Sequence, residues 1–484
     1  MNGPIRRLAA VVAVLFGSLL ISVTYVQFVA AQTLNDHPGN VRTLYREFGR
    51  ERGPILVAGS SVAVSVPVKD PYKFQRTYPG GTMYSHLTGF YSVVYGATGM
   101  EAAANDLLSG TSDRLFYRRI RDLFTGQHPQ GASVEMTIDP KLQQVAWDAL
   151  GDQKGAVVAL DPKTGDVLAM VSKPAFNPNV LASHDIAAVR KARAALLADP
   201  DRPLEDRAID SRLYPPGSVF KLVTAAAALS SGNYTPDSVL PGPATLDLPQ
   251  TSATLSNDFP GPCAPGGRIT LADALRISCN TAFASLGMAL GDDALREQAT
   301  KFGFGQDLKI PLTVTPSIFP PNLNAPQTAQ AAIGQFDVRV TPMQIAMVSA
   351  AIANHGVLMR PNLVRRVRSA DLEVIDQPAP EPMSQAVSPE VAQQLTDMMI
   401  GVVESGTGRR AQIDGVTVAG KTGTAQTAKG QPPHAWFTAF APAEDPQIAV
   451  AVVVENGGQL GDAASGGRVA APIARQVIEA AVKR

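Results

Sequence analysis

The sequence predicts an α+β fold in which the two ends of a large domain share one antiparallel sheet. A β-hairpin at residues 155–171 opens this domain, and apolar helical patterns occupy its middle. Strands at residues 435–441 and 448–454 then precede a closing helix at residues 471–482. Because strands and helices are grouped rather than alternating, this order favours an antiparallel sheet with packed helices over repeated β-α-β units.

One long apolar segment stands ahead of that domain. Arg6 and Arg7 precede residues 8–31, which carry no charge and outnumber the roughly 20 residues that a membrane-spanning helix needs. A cleaved signal peptide has a shorter apolar region, although residues 29–31 would suit a peptidase. Residues 8–31 therefore predict a signal anchor, with residues 1–7 in the cytoplasm and the rest of the chain outside it.

The overall composition limits what the chain binds. Its 484 residues suit two or three domains, and 45% hydrophobic with 17% charged residues is typical of a folded protein. The 42 basic residues balance the 42 acidic ones, so no net field attracts nucleic acid. Outside the cytoplasm, the only two cysteines, Cys263 and Cys279, are either joined in a disulfide or buried as separate thiols.

Residues 32–130 predict a small α+β module between the anchor and the large domain. β-like runs at 54–67, a turn cluster at 78–81 and a helical pattern at 101–108 support this prediction. The composition changes near Gly131, so residues 131–484 form the predicted large domain. Its further elements are a strand at 134–138, helices at 140–150, 219–229, 271–277, 282–290 and 342–353, and a strand at 416–419.

The first candidate for chemistry is a serine at the start of an apolar helix. Ser218 follows a turn at residues 214–217, and Lys221 lies one helical turn later on the same face. A serine becomes a nucleophile when a base takes its proton, and a lysine is such a base when burial or another cation lowers its pKa. A capping serine with a solvated lysine is the structural alternative. No other Ser-x-x-Lys occurs in the chain.

A second motif, Ser278 and Asn280, lies between two helical patterns. A hydroxyl there would relay a proton, and the amide would orient the lysine and hold a substrate carbonyl. The same spacing recurs at residues 231–233, which end the Ser218 helix and are better explained as a cap and turn.

A third motif, Lys421, Thr422, Gly423 and Thr424, continues a predicted strand. A strand beside the serine would hold an extended substrate by its main chain, and Gly423 would let backbones approach closely. The lysine and the threonine hydroxyls suit a carboxylate. A second Lys-Thr-Gly at residues 163–165 sits in the hairpin turn, where it is explained as exposed turn residues.

The sequence argues against a bound nucleotide, metal or cofactor. Residues 415–422 match the phosphate-binding pattern G-x-x-x-x-G-K-[ST], but the middle residues are strand formers and no helical pattern follows. The six histidines show no spacing typical of metal ligands. We therefore expect none of the three groups.

Together the three motifs resemble those of the penicillin-recognising serine transferases, in the same order. Segments around them are similar to class B penicillin-binding proteins, so the resemblance covers the large domain; they are residues 155–170, 333–335, 341–342, 404–408 and 470–472. Residues 52–55 and 78–110 resemble the N-terminal module of actinobacterial penicillin-binding proteins of the A type. The resemblance implies a serine β-lactamase/transpeptidase fold, with an all-helical subdomain beside the antiparallel sheet.

The resemblance also implies a reaction, the D,D-transpeptidation of peptidoglycan. Ser218 would attack the penultimate D-alanine carbonyl of a stem peptide and release D-alanine. An amine on a neighbouring stem would then take the acyl group. Lys221 would accept the proton, and Ser278 would pass it to the leaving amine. Glycosyltransferases or membrane proteins of the division machinery are the implied protein partners, with roles in cell division and cell shape.

The family's binding groups map onto the third motif. By resemblance, the backbone N–H groups of Ser218 and Thr424 form the oxyanion hole, while Lys421, Thr422 and Thr424 hold the terminal carboxylate. β-Lactams would acylate Ser218 as substrate mimics.

Two positions depart from the family's pattern. Cys279 fills the variable place of the second motif, where a disulfide to Cys263 would stiffen the loop. Residues 204–207, Leu-Glu-Asp-Arg, replace an uncharged run just before the nucleophile.

Other activities of the same fold stay open at this point. In one class of β-lactamase a glutamate after the second motif drives hydrolysis, and none occurs here between Glu297 and Glu373. A carboxypeptidase uses the same residues with water as acceptor, whereas the anchor and the module favour a transpeptidase. A penicillin sensor or a cell-wall scaffold is the non-enzymatic alternative.

Overall fold

An apolar helix near the N-terminus is left uncovered by the rest of the chain that the structure describes. The structure, a computed structural model, describes residues 2–35, 45, 47–112, 130–210, 212–427 and 430–483. Asn2–Thr24 is α-helical and continues through a π-helical turn, Tyr25–Val29. The span Gly3–Val29 is long and apolar enough to cross a membrane, and its most apolar window is 0% buried. These properties fit a membrane anchor. A short helix, Ala31–Asn35, follows.

A six-stranded sheet, here called the module sheet, joins the N-terminal module to the large domain. Its strands, in spatial order, are Val374–Asp376, Val364–Arg368, Ser133–Met136, Ile55–Val57, Ser60–Pro67 and Phe74–Thr77. Ile55–Val57 runs parallel to Ser133–Met136, and the other neighbours are antiparallel. The sheet therefore extends across the boundary predicted near Gly131, which stays a prediction.

The helical part of the module differs from its prediction. The pattern at residues 101–108 forms two helices, Gly99–Ala103 and Asn105–Leu108, because Ala104 between them has a non-helical backbone with φ −106° and ψ 21°. A third short helix, Ser85–Thr88, packs against the first. A two-stranded ribbon, Tyr91–Ser92 with Gly96–Ala97, completes the module.

The large domain is built on a five-stranded antiparallel sheet, here called the central sheet. Its strands, in spatial order, are Ala419–Ala425, His434–Ala441, Ile448–Val454, Gly155–Leu160 and Val167–Lys173. Helices Pro140–Leu150 and Ala470–Val482 cover one face, and Pro342–Ala353 covers the other. Burial on both faces explains the continuous apolar strands. The predicted hairpin, late strands and closing helix are confirmed.

A helical subdomain packs beside the edge strand Ala419–Ala425. Its helices are Lys221–Ser230, Leu271–Arg276, Asn280–Leu290, Asp292–Lys301, Ala325–Ala331 and Pro389–Glu404. Several helices were not predicted from the sequence: Asp292–Lys301, Ala325–Ala331 and Pro389–Glu404 of this subdomain, and the outer helices Asn179–Ala182 and Ile186–Ala198. Four strand pairs connect the helices: Val239–Pro241 with Arg268–Thr270, Thr245–Asp247 with Thr254–Ser256, Leu308–Lys309 with Thr313–Val314, and Val357–Met359 with Pro382–Gln385.

The edge strand begins later than predicted. Gly415 has a φ of 76°, and Ile413 and Val416 form an isolated bridge across a tight turn. Residues 416–418 therefore belong to the end of that turn and are not paired with the central sheet. Ala419 is the first residue in register with the neighbouring strand, opposite Phe440. The third motif therefore lies inside the strand, which we call the motif strand (Ala419–Ala425).

Candidate active site

The nucleophile candidate lies in a turn that is pressed against the motif strand. Ser218 belongs to a 3-10 turn, Gly217–Phe220, that leads into the helix Lys221–Ser230. Gly217 has a φ of 55°, a conformation that favours glycine. A Cβ added to Gly217 would lie 2.8 Å from the carbonyl oxygen of Thr424. This close approach places Ser218 beside Thr424.

The side chain of Lys221 joins the first and second motifs. It is 0% exposed, its Nζ donates to the Ser278 carbonyl and to Asn280 Oδ1, both at 2.7 Å, and it lies 3.3 Å from Ser278 Oγ. Burial lowers the pKa of Lys221 to about 7, and the nearby carboxylate of Asp258 opposes that shift. A lysine with this pKa is partly neutral at physiological pH, as a general base must be.

Lys421 reaches the same hydroxyl from the other side. It is also 0% exposed, and its Nζ donates to Ser278 Oγ and to the Thr422 carbonyl, both at 2.9 Å. Burial, and then the charge of Lys221, lower the pKa of Lys421 well below its ordinary value. Two amines that meet at one hydroxyl in a site closed to water disfavour each other's charged form.

The second motif is held by the loop at residues 257–263. Ser278 has a φ of 62°, in the left-handed region, between the helices Leu271–Arg276 and Asn280–Leu290. Asn257 Oδ1 accepts the backbone N–H of Asn280 at 3.0 Å. Cys263, on the same loop, forms a disulfide with Cys279. The loop is thus attached to the motif at two points.

Both hydrogens of the Asn280 amide are already bonded. Its oxygen accepts from Lys221, and its Nδ2 donates to the Ser256 carbonyl at 3.2 Å and to Asp258 Oδ1 at 3.1 Å. An amide nitrogen has two hydrogens, so a substrate carbonyl that bound here would have to replace one of these acceptors.

A cavity of about 1000 Å³ opens at Ser218. Thr424 and Asn280 line it together with residues of the 257–261 loop and of the segment 462–465. Thr422 points elsewhere, because its Oγ1 lies 2.6 Å from Thr407 Oγ1. Among the described residues, no group of three His, Cys, Asp or Glu side chains is placed to hold a metal ion.

Comparison with known proteins identifies the family. Residues 155–479 match the family described as the penicillin binding protein transpeptidase domain. The chain belongs to the penicillin-binding protein transpeptidases. Residues 52–134 also match the penicillin binding protein A dimerisation domain. The resemblance to class B penicillin-binding proteins and the α+β transpeptidase fold are both confirmed.

Penicillin-binding proteins of mycobacteria are similar along the whole chain. Peptidoglycan D,D-transpeptidase PbpA of Mycolicibacterium smegmatis is 45% identical over 492 residues, covering 100% of this chain and 99% of the relative. The ceftriaxone acyl-enzyme of penicillin-binding protein A from M. tuberculosis superposes with a TM-score of 0.87 at 43% identity, over 90% of this chain and 100% of that one. Pseudomonas aeruginosa PBP2 reaches a TM-score of 0.74 at 31% identity, over 89% and 95% of the two chains.

The structure brings one copy of each penicillin-binding motif to the cavity and leaves the other copies elsewhere. Residues 163–165 lie in the hairpin turn, where the side chain of Lys163 is 55% exposed. Residues 231–233 follow the end of the nucleophile helix, where Gly232 has a φ of 73°. Residues 420–422 are extended within the motif strand, which excludes a phosphate-binding loop at this position.

A buried ionic network behind the nucleophile turn gives a role to Arg207, the last residue of the charged run at 204–207. Glu455 Oε1 accepts from Arg207 Nε at 2.9 Å and from the Tyr214 hydroxyl at 2.7 Å, and the side chains of Arg207 and Glu455 are 1% and 3% exposed. Trp436 Nε1 donates to the Pro215 carbonyl at 3.1 Å. The network therefore fixes the segment that leads to Ser218.

Gly423 lies where the motif strand touches the nucleophile turn. A Cβ at this position would lie 3.0 Å from the Pro216 carbonyl, from Trp436 Cβ and from Val219 Cγ1. Because all three neighbours are backbone or near-backbone atoms, Gly423→Ala is expected to push the strand away from Ser218. We expect the rate of acylation by a fluorescent penicillin to fall about 10- to 100-fold.

The control for Gly423→Ala is Gly401→Ala in the helix Pro389–Glu404, where the added methyl would lie 3.8 Å from Arg276 Cδ. This change is expected to leave acylation unaltered and to stabilise the helix by about 0.5–1 kcal/mol. Unchanged acylation in Gly423→Ala would contradict the close packing described here.

Proposed function

We propose that this protein is a peptidoglycan D,D-transpeptidase whose acyl-enzyme forms on Ser218. The observation that carries the proposal is the meeting of the Lys221 and Lys421 amines at Ser278 Oγ, two residues before Asn280, which lines the cavity together with Ser218. β-Lactams inhibit the enzyme by acylating the same serine. Its family membership and its PbpA-like relatives support this reaction.

In the acylation step, Lys221 takes the proton of the Ser218 hydroxyl. A neutral amine has two N–H groups, which match its two 2.7 Å bonds to the Ser278 carbonyl and Asn280 Oδ1. Its lone pair is then left for a hydroxyl proton. Ser218 Oγ bonds to the penultimate D-alanine carbonyl carbon, and the C–N bond to the last D-alanine breaks. Ser278 passes the proton to the leaving amine.

The substrate lies along the motif strand in this proposal. An extended peptide adds to the free edge of a sheet through main-chain hydrogen bonds, and Ala419–Ala425 is an edge strand of the central sheet. Lys421, Thr422 and Thr424 hold the terminal carboxylate, which requires the Thr422 hydroxyl to exchange its bond to Thr407. The backbone N–H groups of Ser218 and Thr424 stabilise the oxyanion.

The arrangement in the cell follows from the anchor. We place residues 1–7 in the cytoplasm, the span 8–31 in the membrane, and both the module (32–130) and the transpeptidase domain (131–484) outside. Cross-linking consumes glycan strands that another enzyme polymerises at the membrane. Glycosyltransferases or membrane proteins of cell division are therefore the proposed partners, with roles in cell division and shape.

Acylation is expected to depend on pH through Lys221. The protonated lysine cannot accept a proton, and burial lowers the pKa of Lys221 to about 7. The second-order rate of acylation by a fluorescent penicillin should therefore be constant well above pH 7 and fall about tenfold per pH unit below it. A profile that stays flat from pH 8 to pH 5 would show that Lys221 is not the base.

The decisive experiment locates the acyl group. The full-length protein in detergent is incubated with a labelled penicillin, digested and analysed by mass spectrometry; we expect the label on the peptide that contains Ser218. Label on another residue, or none, would overturn the proposal. A tripeptide donor ending in D-Ala-D-Ala, with and without an added amine, then distinguishes transpeptidase from carboxypeptidase. A scaffold or sensor role predicts that Ser218→Ala cells keep their shape.

A further inference from the structure

Asp258 is a carboxylate that faces the active-site cavity and that none of the three motifs includes. It is exposed and lines the cavity together with Ser218. Its Oδ1 accepts from Asn280 Nδ2 at 3.1 Å, and Asn280 Oδ1 in turn accepts from Lys221 Nζ at 2.7 Å. Asp258 is thus two hydrogen bonds from the general base.

The position of Asp258 is fixed by its neighbours in the chain. Asn257 Oδ1 accepts the backbone N–H groups of Asn280 at 3.0 Å and Thr281 at 3.2 Å, and the disulfide from Cys263 to Cys279 closes the loop on its other side. The main chain that carries Asp258 is thus held on both sides of this residue, so less conformational entropy is lost when its carboxylate binds a ligand.

The charge exposed to the cavity is negative. Among the described residues that line it, the charged side chains are Asp258 and Asp462, whereas Lys221 and Lys421 are 0% exposed beneath the surface. The two peptides of the reaction differ in charge at their reacting ends. The donor ends in a carboxylate, and the acceptor presents a primary amine that is protonated in solution. An exposed carboxylate complements only the second.

Donor binding makes Asp258 available. A donor carbonyl that takes an Nδ2 hydrogen of Asn280 has to replace the Ser256 carbonyl or the Asp258 carboxylate. The first is main chain of the strand Thr254–Ser256, whereas the second is a side chain that can rotate away, so Asp258 is the acceptor that is displaced. A carboxylate that has lost this partner is left beside the acyl-enzyme.

We propose that Asp258 is the group that receives the primary ammonium of the acceptor stem before acyl transfer. The inference rests on the proposed roles of Ser218 and Asn280. The bound ammonium loses one proton to neutral Lys221, which returns it to solvent. The resulting amine bonds to the acyl carbon, the ester bond to Ser218 Oγ breaks, and the second proton goes to that oxygen. Asp258 binds the acceptor and takes no part in the bond changes. Its loss should therefore raise the acceptor concentration that half-saturates acyl transfer.

The test measures how the acyl-enzyme divides between amine and water. Full-length protein in detergent is supplied with diacetyl-L-Lys-D-Ala-D-Ala, a donor without a free amine, and with increasing Nα-acetyl-lysine as acceptor. Mass spectrometry gives the ratio of amide product to hydrolysed product, which does not depend on the acylation rate. Hydroxylamine, uncharged at neutral pH, serves as the neutral nucleophile, and Asp462→Asn is the matched variant.

We expect Asp258→Asn to raise the half-saturating concentration of Nα-acetyl-lysine about tenfold, the loss expected for one charge-assisted hydrogen bond. The value for hydroxylamine, and both values in Asp462→Asn, should not change. In the unmodified protein, added salt should raise the half-saturating concentration of Nα-acetyl-lysine, because salt screens the attraction between charges, and should leave that of hydroxylamine unchanged. Because the salt dependence is measured on the unmodified protein, it tests the proposal even if Asp258→Asn fails to fold.

Three results would overturn the inference. The first is an unchanged half-saturating concentration in Asp258→Asn. The second is an equal rise in Asp258→Asn and Asp462→Asn, which would indicate a general field. The third is an effect that appears only when the donor carries a free lysine amine, which would assign Asp258 to the donor side chain. Absence of D-alanine release from the unmodified protein would instead refute the proposed function.

Discussion

Replacing Lys221 with methionine is expected to lower the rate of Ser218 acylation by a factor of about 10²–10⁴. The side chain is fully buried, and its amine is the group that links the Ser218 helix to Ser278 and Asn280. Methionine has a similar length and no proton-accepting amine. The pH dependence below pH 7 should disappear together with the rate, because the group that titrates there has been removed.

The control for this change is Lys163→Met. Lys163 begins the other Lys-Thr-Gly of the chain, and its side chain is 55% exposed in a hairpin turn. We expect full acylation from that variant in the same penicillin assay. Thermal unfolding of both variants separates loss of the base from loss of the fold. Acylation of Lys221→Met within threefold of the unmodified rate would remove Lys221 from the mechanism.

Glu455→Ala is expected to destabilise the protein by about 3–5 kcal/mol, because it leaves a buried guanidinium without its counter-charge. The Nε of Arg207 loses its acceptor, and so does the hydroxyl of Tyr214, four residues before the nucleophile. Chemical denaturation followed by tryptophan fluorescence measures the change. Acylation should also slow, because the turn that carries Ser218 loses this support.

Glu381→Ala is the matched control for the buried network. Glu381 forms an ion pair with Arg360 at 2.9 Å, but the two side chains are 61% and 38% exposed. An exposed pair of this kind contributes about 0–1 kcal/mol. If the two substitutions lowered the free energy of unfolding equally, the buried Glu455–Arg207 pair would contribute no more to stability than the exposed Glu381–Arg360 pair.

The sequence predicted the parts of the site that depend on short-range spacing. Ser218 and Lys221 share a helical face, and Lys421 to Thr424 have the residue types of a strand, so local rules placed them. Asp258 was missed because its contact with Asn280 depends on a loop of turn residues that has no periodic pattern. The pairing of Arg207 with Glu455 was missed because a contact over 248 positions leaves no local signal.

For the fold as well, single helices were predicted from the sequence, but the pairing of distant strands was not. Helix Pro342–Ala353 was predicted with its observed bounds, because Thr341 caps it and Pro342 suits a first helical position. The module sheet was not foreseen, since Val364–Arg368 returns to it from the far side of the helical subdomain. A strand's partner is chosen by tertiary packing, which the pattern of one segment does not contain.

The shared module sheet also determines how the protein can be divided. A fragment that starts at residue 131 keeps Ser133–Met136 and Val364–Arg368 but loses Ile55–Val57, the parallel neighbour of the first. Its main-chain N–H and C=O groups would then face water along an open edge, a surface on which strands of other molecules assemble. The N-terminal module thus covers this edge of Ser133–Met136, and a soluble form of the enzyme should retain the module.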